Sequence, residues 1–202
     1  MARRRTSYRS LVSLKRDNRA CRACAQAGFP LESLPVFEGR PGQQAMIVGQ
    51  APGIVEGEER RPWRGRAGRT LRRWLGLDED AFYETFYCCS VTRCYPGRLP
   101  GGRGDRAATP REIALCRFWR EWELRLLRPR LVLTVGGLAA REVLGLRRLG
   151  ECVGSEYRLG DAVAIQLPHP SGASGWLNDP VNRGLLAQAL ELVSRSLPPS
   201  ES

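Results

Sequence analysis

The run Ala162-Val163-Ala164-Ile165-Gln166-Leu167 leads directly into Pro168-His169-Pro170-Ser171-Gly172. The first six residues are short and almost wholly apolar, the pattern of a buried strand. The next five hold the only histidine of the chain, set between two prolines. That imidazole therefore stands on stiff backbone at the C-terminal end of a strand. Ligands of open α/β sheets bind at that end. A histidine so placed can also do no more than satisfy local hydrogen bonds, so its meaning depends on what the other strand ends carry.

Three more apolar runs read as strands: Ala45–Gly49, Phe86–Thr92 and Leu131–Val135. The first is followed by a turn at Gln50-Ala51-Pro52-Gly53, the second leads to Cys94, and the third runs through Gly136-Gly137 into a helix over Leu138–Leu144. Gly68–Leu75 reads as a helix with Leu71, Trp74 and Leu75 inward. Thr109-Pro110-Arg111-Glu112 opens another, with Thr as N-cap, Pro at the first position and Glu three residues past the cap. It carries Cys116 and Trp119 and stops before Pro129. Asp179-Pro180 caps a last helix to about Val193. A short helix is expected around Ser7–Asp17, a surface loop over residues 25–44, a polar stretch over Glu56–Arg66 and irregular chain over Leu146–Tyr157. Strands alternating with helices predict an α/β fold: a three-layer α/β/α sandwich around a four-stranded, mostly parallel sheet. The 202 residues suit one domain, with a basic segment over 1–20 and a disordered tail from Pro198.

Lys and Arg number 32 against 21 Asp and Glu, a net charge of +11, which points to a polyanionic partner, nucleic acid first. No apolar run is long enough to span a bilayer and no apolar signal region follows the basic N-terminus, so a cytoplasmic protein that does not bind membranes is expected. Seven cysteines without an export signal argue against a disulfide framework and leave metal or cluster ligation, or plain burial.

Gly49–Glu56 (G-Q-A-P-G-x-x-E), Arg61–Gly68 (R-P-W-R-G-R-A-G), Thr92–Gly97 (T-R-C-Y-P-G) and Leu167–Gly172 (L-P-H-P-S-G) occur in the order seen in uracil-DNA glycosylases. The chain most resembles the family 4 type, which carries an iron–sulfur cluster, from about Cys21 to Leu192. The resemblance implies that Gly49, Ala51, Pro52 and Gly53 line the base pocket. Gln50 stands where family 4 has a glutamate; an amide cannot act as a base but can still hydrogen-bond. Ala51 offers no carboxylate either. Glu56 is then the candidate for orienting or activating water, unless it is a solvated loop residue beside Glu58 and Glu59.

On the same resemblance, Trp63 falls at the position of the phenylalanine that stacks on uracil; stacking on an extruded base is worth about 1–3 kcal/mol, though the indole can also simply pack under its loop. Ser90 replaces the asparagine that reads the polar edge of uracil, which bears on base selectivity. His169 matches the histidine that stabilises charge developing on the uracil O2. Ser171, Gly172 and Ala173 would bind a DNA phosphate. Trp176 and Leu177 are wedge candidates for the step in which the base is extruded, or core residues. Cys21, Cys24, Cys94 and Cys116 match the four ligands of a [4Fe–4S] cluster, and four thiolates also suit structural zinc. Cys88, Cys89 and Cys152 read as buried thiols. Arg98, Arg103 and Arg106, in a Gly-rich segment read as a flexible cationic loop, would meet phosphates.

The implied activity is that of a monomeric glycosylase that hydrolyses the N-glycosidic bond of uracil in DNA. No lysine lies near the motifs, so no lyase step is expected. Alternatives are a glycosylase for another deaminated base such as hypoxanthine or xanthine, and a DNA-binding protein of the same fold without catalysis.

Overall fold

A computed structural model describes residues 5–101, 104–146, 148–171 and 175–197; Arg103, Gly172, Ala173 and the tail from Pro198 lie outside the described residues. Five strands form one sheet: β1 (Ala45–Gly49), β2 (Phe86–Ser90), β3 (Leu131–Val135), β4 (Glu156–Leu159) and β5 (Ala162–Leu167). Their order is β2-β1-β3-β5-β4, with β4 antiparallel to β5 and the other pairs parallel. The expected sheet of four strands is thus corrected to five. β4 shows alternating exposed and half-buried residues on the sheet edge, so it lacks the apolar run that marks a buried strand. Gly160, at φ +60°, turns the chain between β4 and β5 where a side chain would be strained.

The helices, in chain order, are α1 (Leu11–Arg19), α2 (Ala23–Gln26), α3 (Ile54–Glu59), α4 (Arg66–Leu75), α5 (Glu79–Thr85), α6 (Pro110–Leu127), α7 (Gly137–Ala139, continued as a π-helical turn to Leu144), α8 (Leu149–Cys152) and α9 (Pro180–Ser196). Side-chain alternation along the strands divides the core. Ile47, Cys88, Leu133 and Ile165 face one layer, with Leu71 of α4, Phe82 of α5, and Leu186 and Val193 of α9. Met46, Val48, Cys89 and Val132 face the other, with Leu11 and Leu14 of α1 and Ile113 and Trp119 of α6. This is the three-layer sandwich. At the start of α6, Thr109 Oγ1 accepts from Glu112 N–H (3.2 Å) and Glu112 answers on Thr109 N–H (2.7 Å), the reciprocal cap read from the sequence.

Other expectations shift. α1 begins at Leu11 rather than Ser7, because Ser10 caps it. β2 stops at Ser90 rather than Thr92. The Glu56–Arg66 stretch includes most of α3, and Leu146–Tyr157 holds α8 and the start of β4. The Gly/Arg segment is folded back on itself: Leu99 N–H reaches Gly104 O (3.1 Å), Arg106 N–H reaches Gly97 O (2.8 Å), and Arg98 and Asp105 form an antiparallel bridge. Among the described residues no helix is long and apolar enough to cross a membrane.

Candidate active site

Parallel pairing sets Gly49 beside Ser90, and β5 delivers His169 two residues past Leu167 on the same end of the sheet. Together with the α3 and α4 entrances they line a cavity of about 260 Å³. That is below the roughly 300–1,000 Å³ of drug-sized sites, so the site suits a small ligand. Of the residues expected to line it, Gly49, Gln50, Ala51, Pro52, Gly53, Glu56, Trp63, Ser90 and His169 all do, and Ser171, expected at a phosphate instead, joins them.

Trp63 is buried and holds φ at +62°, a conformation costing about 1–3 kcal/mol for a non-glycine residue. Its neighbours enforce it. Arg72 Nη1 donates to Trp63 O (2.8 Å), and the Tyr83 hydroxyl donates to Pro62 O. Two glycines make room. A Cβ on Gly68 would lie 1.7 Å from Trp63 O, and one on Gly49 would lie 2.9 Å from the indole. The indole therefore packs across the floor at Gly49 while also forming pocket wall, so the packing and stacking readings of Trp63 are compatible.

Glu56 is no solvated loop carboxylate: it is half-buried on α3, where Glu58 is exposed and Glu59 is exposed but paired with Arg64 (2.6 Å). Its Oε2 accepts from Gly53 N–H (3.1 Å) and its Oε1 from Gly65 N–H (2.7 Å). It ties the first motif to the tryptophan loop. Gln50 lies against Gly136, whose missing Cβ would sit 2.6 Å from the Gln50 amide nitrogen.

His169 Nδ1 faces the Ser171 hydroxyl (2.8 Å) and the Ser171 backbone N–H (3.3 Å). A backbone N–H can only donate, so Nδ1 is the acceptor and the ring proton of neutral His169 sits on Nε2. Burial lowers the His169 pKa below its ordinary 6.5, against a smaller upward pull from Glu56. The site thus offers a neutral N–H donor. Ser171, expected at a phosphate, directs its hydroxyl to this imidazole.

The sequence reading missed Asp105, which also lines the cavity. Its Oδ1 accepts from the Tyr95 hydroxyl (2.8 Å). Burial first, then that carboxylate, raises the Tyr95 pKa to about 12, so the phenol stays a donor. The only signal for Asp105 was a single carboxylate inside an arginine-rich loop. Arg98 is exposed on that loop. Arg106 is committed: both terminal nitrogens reach Glu112 at 2.8 Å, and Nε donates to Pro96 O (3.1 Å). That pairing, in first place, lowers the Glu112 pKa to about 2. Trp176 and Leu177 are half-buried against the core layer of α9 rather than in the cavity wall.

Cys21, Cys24, Cys94 and Cys116 come from the α1–α2 join, α2, the chain after β2, and α6. Burial first, then proximity to Cys116 and Cys21, raises the Cys24 thiol pKa, and Cys94 is raised by burial and by all three other thiols. Arg93 N–H donates to Cys116 Sγ (3.3 Å), a contact that suits a metal-bound thiolate. Among the described residues no three His, Cys, Asp or Glu side chains are arranged to hold a single metal ion. Four neighbouring thiols that a bound cation would deprotonate nonetheless make a donor set fitting a thiolate-held group. Cys88, Cys89 and Cys152 are buried.

Residues 36–190 match the family model of the Uracil DNA glycosylase superfamily, and the chain belongs to that superfamily. Within it the chain stands near type 4. It is 26% identical over 179 residues to the Type-4 uracil-DNA glycosylase of Sulfurisphaera tokodaii, covering 81% of this chain and 76% of that one. To the Type-4 uracil-DNA glycosylase of Pyrobaculum aerophilum it is 27% identical over 199 residues, covering 90% and 94%.

Proposed function

We propose that this protein is a DNA repair glycosylase that extrudes uracil from DNA and hydrolyses its N-glycosidic bond, leaving an abasic site without a lyase step. It acts as a monomer in the cytoplasm. The observation that carries the reading is the small pocket with an aromatic face, Trp63, and a neutral imidazole donor, His169, at its wall. Uracil leaves as an anion, so a fixed donor acts where charge appears. The sugar becomes oxocarbenium-like, a state favoured by nearby carboxylates. Net charge of +11 supports attraction to the phosphate backbone; exposed Arg98 is a phosphate contact in this reading, as are Arg103, Gly172 and Ala173, which lie outside the described residues.

Ser90 favours a second reading. Its hydroxyl reaches less far than an amide and cannot make a two-point contact with the base edge, which widens the range of bases to hypoxanthine or xanthine. Single-turnover release from oligonucleotides bearing one U·G, hypoxanthine or xanthine pair separates the two. Fastest release from U·G supports uracil. Faster release of another base moves the assignment to it, and release of none refutes glycosylase activity.

Cys21, Cys24, Cys94 and Cys116 would hold a [4Fe–4S] cluster, with zinc the alternative. When bound, the cluster supplies metal–thiolate bonds that pin the N-terminal segment to β2 and α6. Iron and acid-labile sulfide in equal amounts are expected in the purified protein, and both are expected to fall when Cys116 is replaced by serine. Zinc without sulfide would overturn the cluster.

A further inference from the structure

Hydrolysis needs a group that takes the proton of the attacking water, and most of the pocket provides none. Gln50 is an amide and Ala51 is apolar. Glu56 and Asp105 are the two carboxylates among the lining residues. Both Glu56 oxygens already accept backbone N–H groups, so the carboxylate is engaged in holding the loop rather than turned to a water.

Asp105 is differently placed. Oδ1 takes the Tyr95 hydroxyl, while Oδ2 has no hydrogen-bond or ion-pair partner among the described residues. Oδ2 also points to the working side of the loop. It lies 3.5 Å from the point where a Cβ of Gly53 would sit, and Glu56 Oε2 lies 2.9 Å from the same point. The backbone beneath it is fixed by the Arg98–Asp105 bridge and by Arg106, locked onto Glu112.

Resting on the glycosylase reading, we infer that Asp105 is the catalytic carboxylate that activates water, that Tyr95 positions it, and that Glu56 shapes the pocket. The C1′–N1 bond breaks and its electron pair leaves with the base, which His169 Nε2–H stabilises. The water oxygen bonds to C1′, and the water proton passes to Asp105 Oδ2 and on to solvent. The departing anion takes a proton from solvent.

Asp105 is exposed, so Asp105→Asn keeps shape and folding while removing the base. The expected result is a single-turnover rate at saturating enzyme lower by about 10²–10⁴-fold, the usual contribution of general-base catalysis. Affinity for the same oligonucleotide is unchanged or tighter, because a negative charge facing DNA has gone. Tyr95→Phe lowers the saturated rate less and leaves half-saturation in place. An Asp105→Asn rate within about threefold of the unsubstituted protein, far short of a base's contribution, overturns the inference alone. So does a loss that appears only as weaker DNA binding. If the unsubstituted protein releases no base from any of the three substrates, the glycosylase reading falls and this inference with it.

Discussion

His169→Ala is expected to slow single-turnover uracil release by about 10²–10³-fold, the cost of removing one preorganised donor from an oxyanion site, roughly 2.7–4 kcal/mol. Pro168 and Pro170 are both buried on either side of the ring, so the backbone aims it before substrate arrives. The Ser171 amide fixes Nδ1 as acceptor and leaves Nε2–H for the base. DNA affinity should change little, since the donor acts mainly on charge that exists only in the transition state. A mutant that retains the wild-type rate would remove His169 from the mechanism. The sign of its titration is also testable. Burial lowers the folded pKa below 6.5, so on acidification the unfolded chain takes up the proton first, and stability is lost as pH falls through 6.5 and below. Because the chain has one histidine, its imidazole proton resonance reports this midpoint without assignment. A midpoint above 6.5 would contradict the burial argument.

Glu123→Ala is the second large effect, and it falls on stability. Glu123 is wholly buried on α6 and accepts from Tyr87 Oη (2.9 Å), Asn18 Nδ2 (3.3 Å) and Arg93 Nη2. Arg93 is 1% exposed, and its Nε and Nη1 have no partner among the described residues. A second buried guanidinium, Arg120, is near enough that burial first and then Arg93 lower its pKa. Removing Glu123 strands Arg93 in the core, which costs about 3–5 kcal/mol. At roughly 2–4 °C per kcal/mol for a chain of this size, the melting temperature drops by about 6–20 °C. Thermal and denaturant unfolding measure it; a loss under about 1 kcal/mol, the scale of an exposed pair, would mean that water reaches this cluster.

The parallel strands were legible because burial on both faces writes uninterrupted apolar runs. Ala45–Gly49, Leu131–Val135 and Ala162–Leu167 stand at the bounds read from sequence. α6 was legible at Thr109 because a capping box is a local device. β4 was not, since an edge strand with one wet face carries a short, weak alternation. α5 escaped although Asp78 caps it through Ala81 N–H (2.8 Å), because seven residues hold too few turns to show a period. The pocket lining from Gly49 to Glu56, with Trp63, Ser90 and His169, was legible only through the resemblance to uracil-DNA glycosylases that those motifs carry. Asp105 was not: only the fold-back of the Gly/Arg segment brings that carboxylate across to Gly53. The double duty of Glu56 and the committed state of Arg106 were equally invisible, since both depend on partners fixed by the tertiary structure.

The hydrogen bond from Arg93 N–H to Cys116 Sγ joins the two ends of the segment that carries Tyr95 and Asp105. A chain whose ends are held together has lost most of its freedom to wander. The ordering cost is therefore met once, during folding, and not again at each encounter with DNA. Affinity and rate then depend on a surface already in place, and slackening the tie at Cys116 is expected to slow base release by loosening Asp105 at the cavity wall while Trp63 and His169 keep their places.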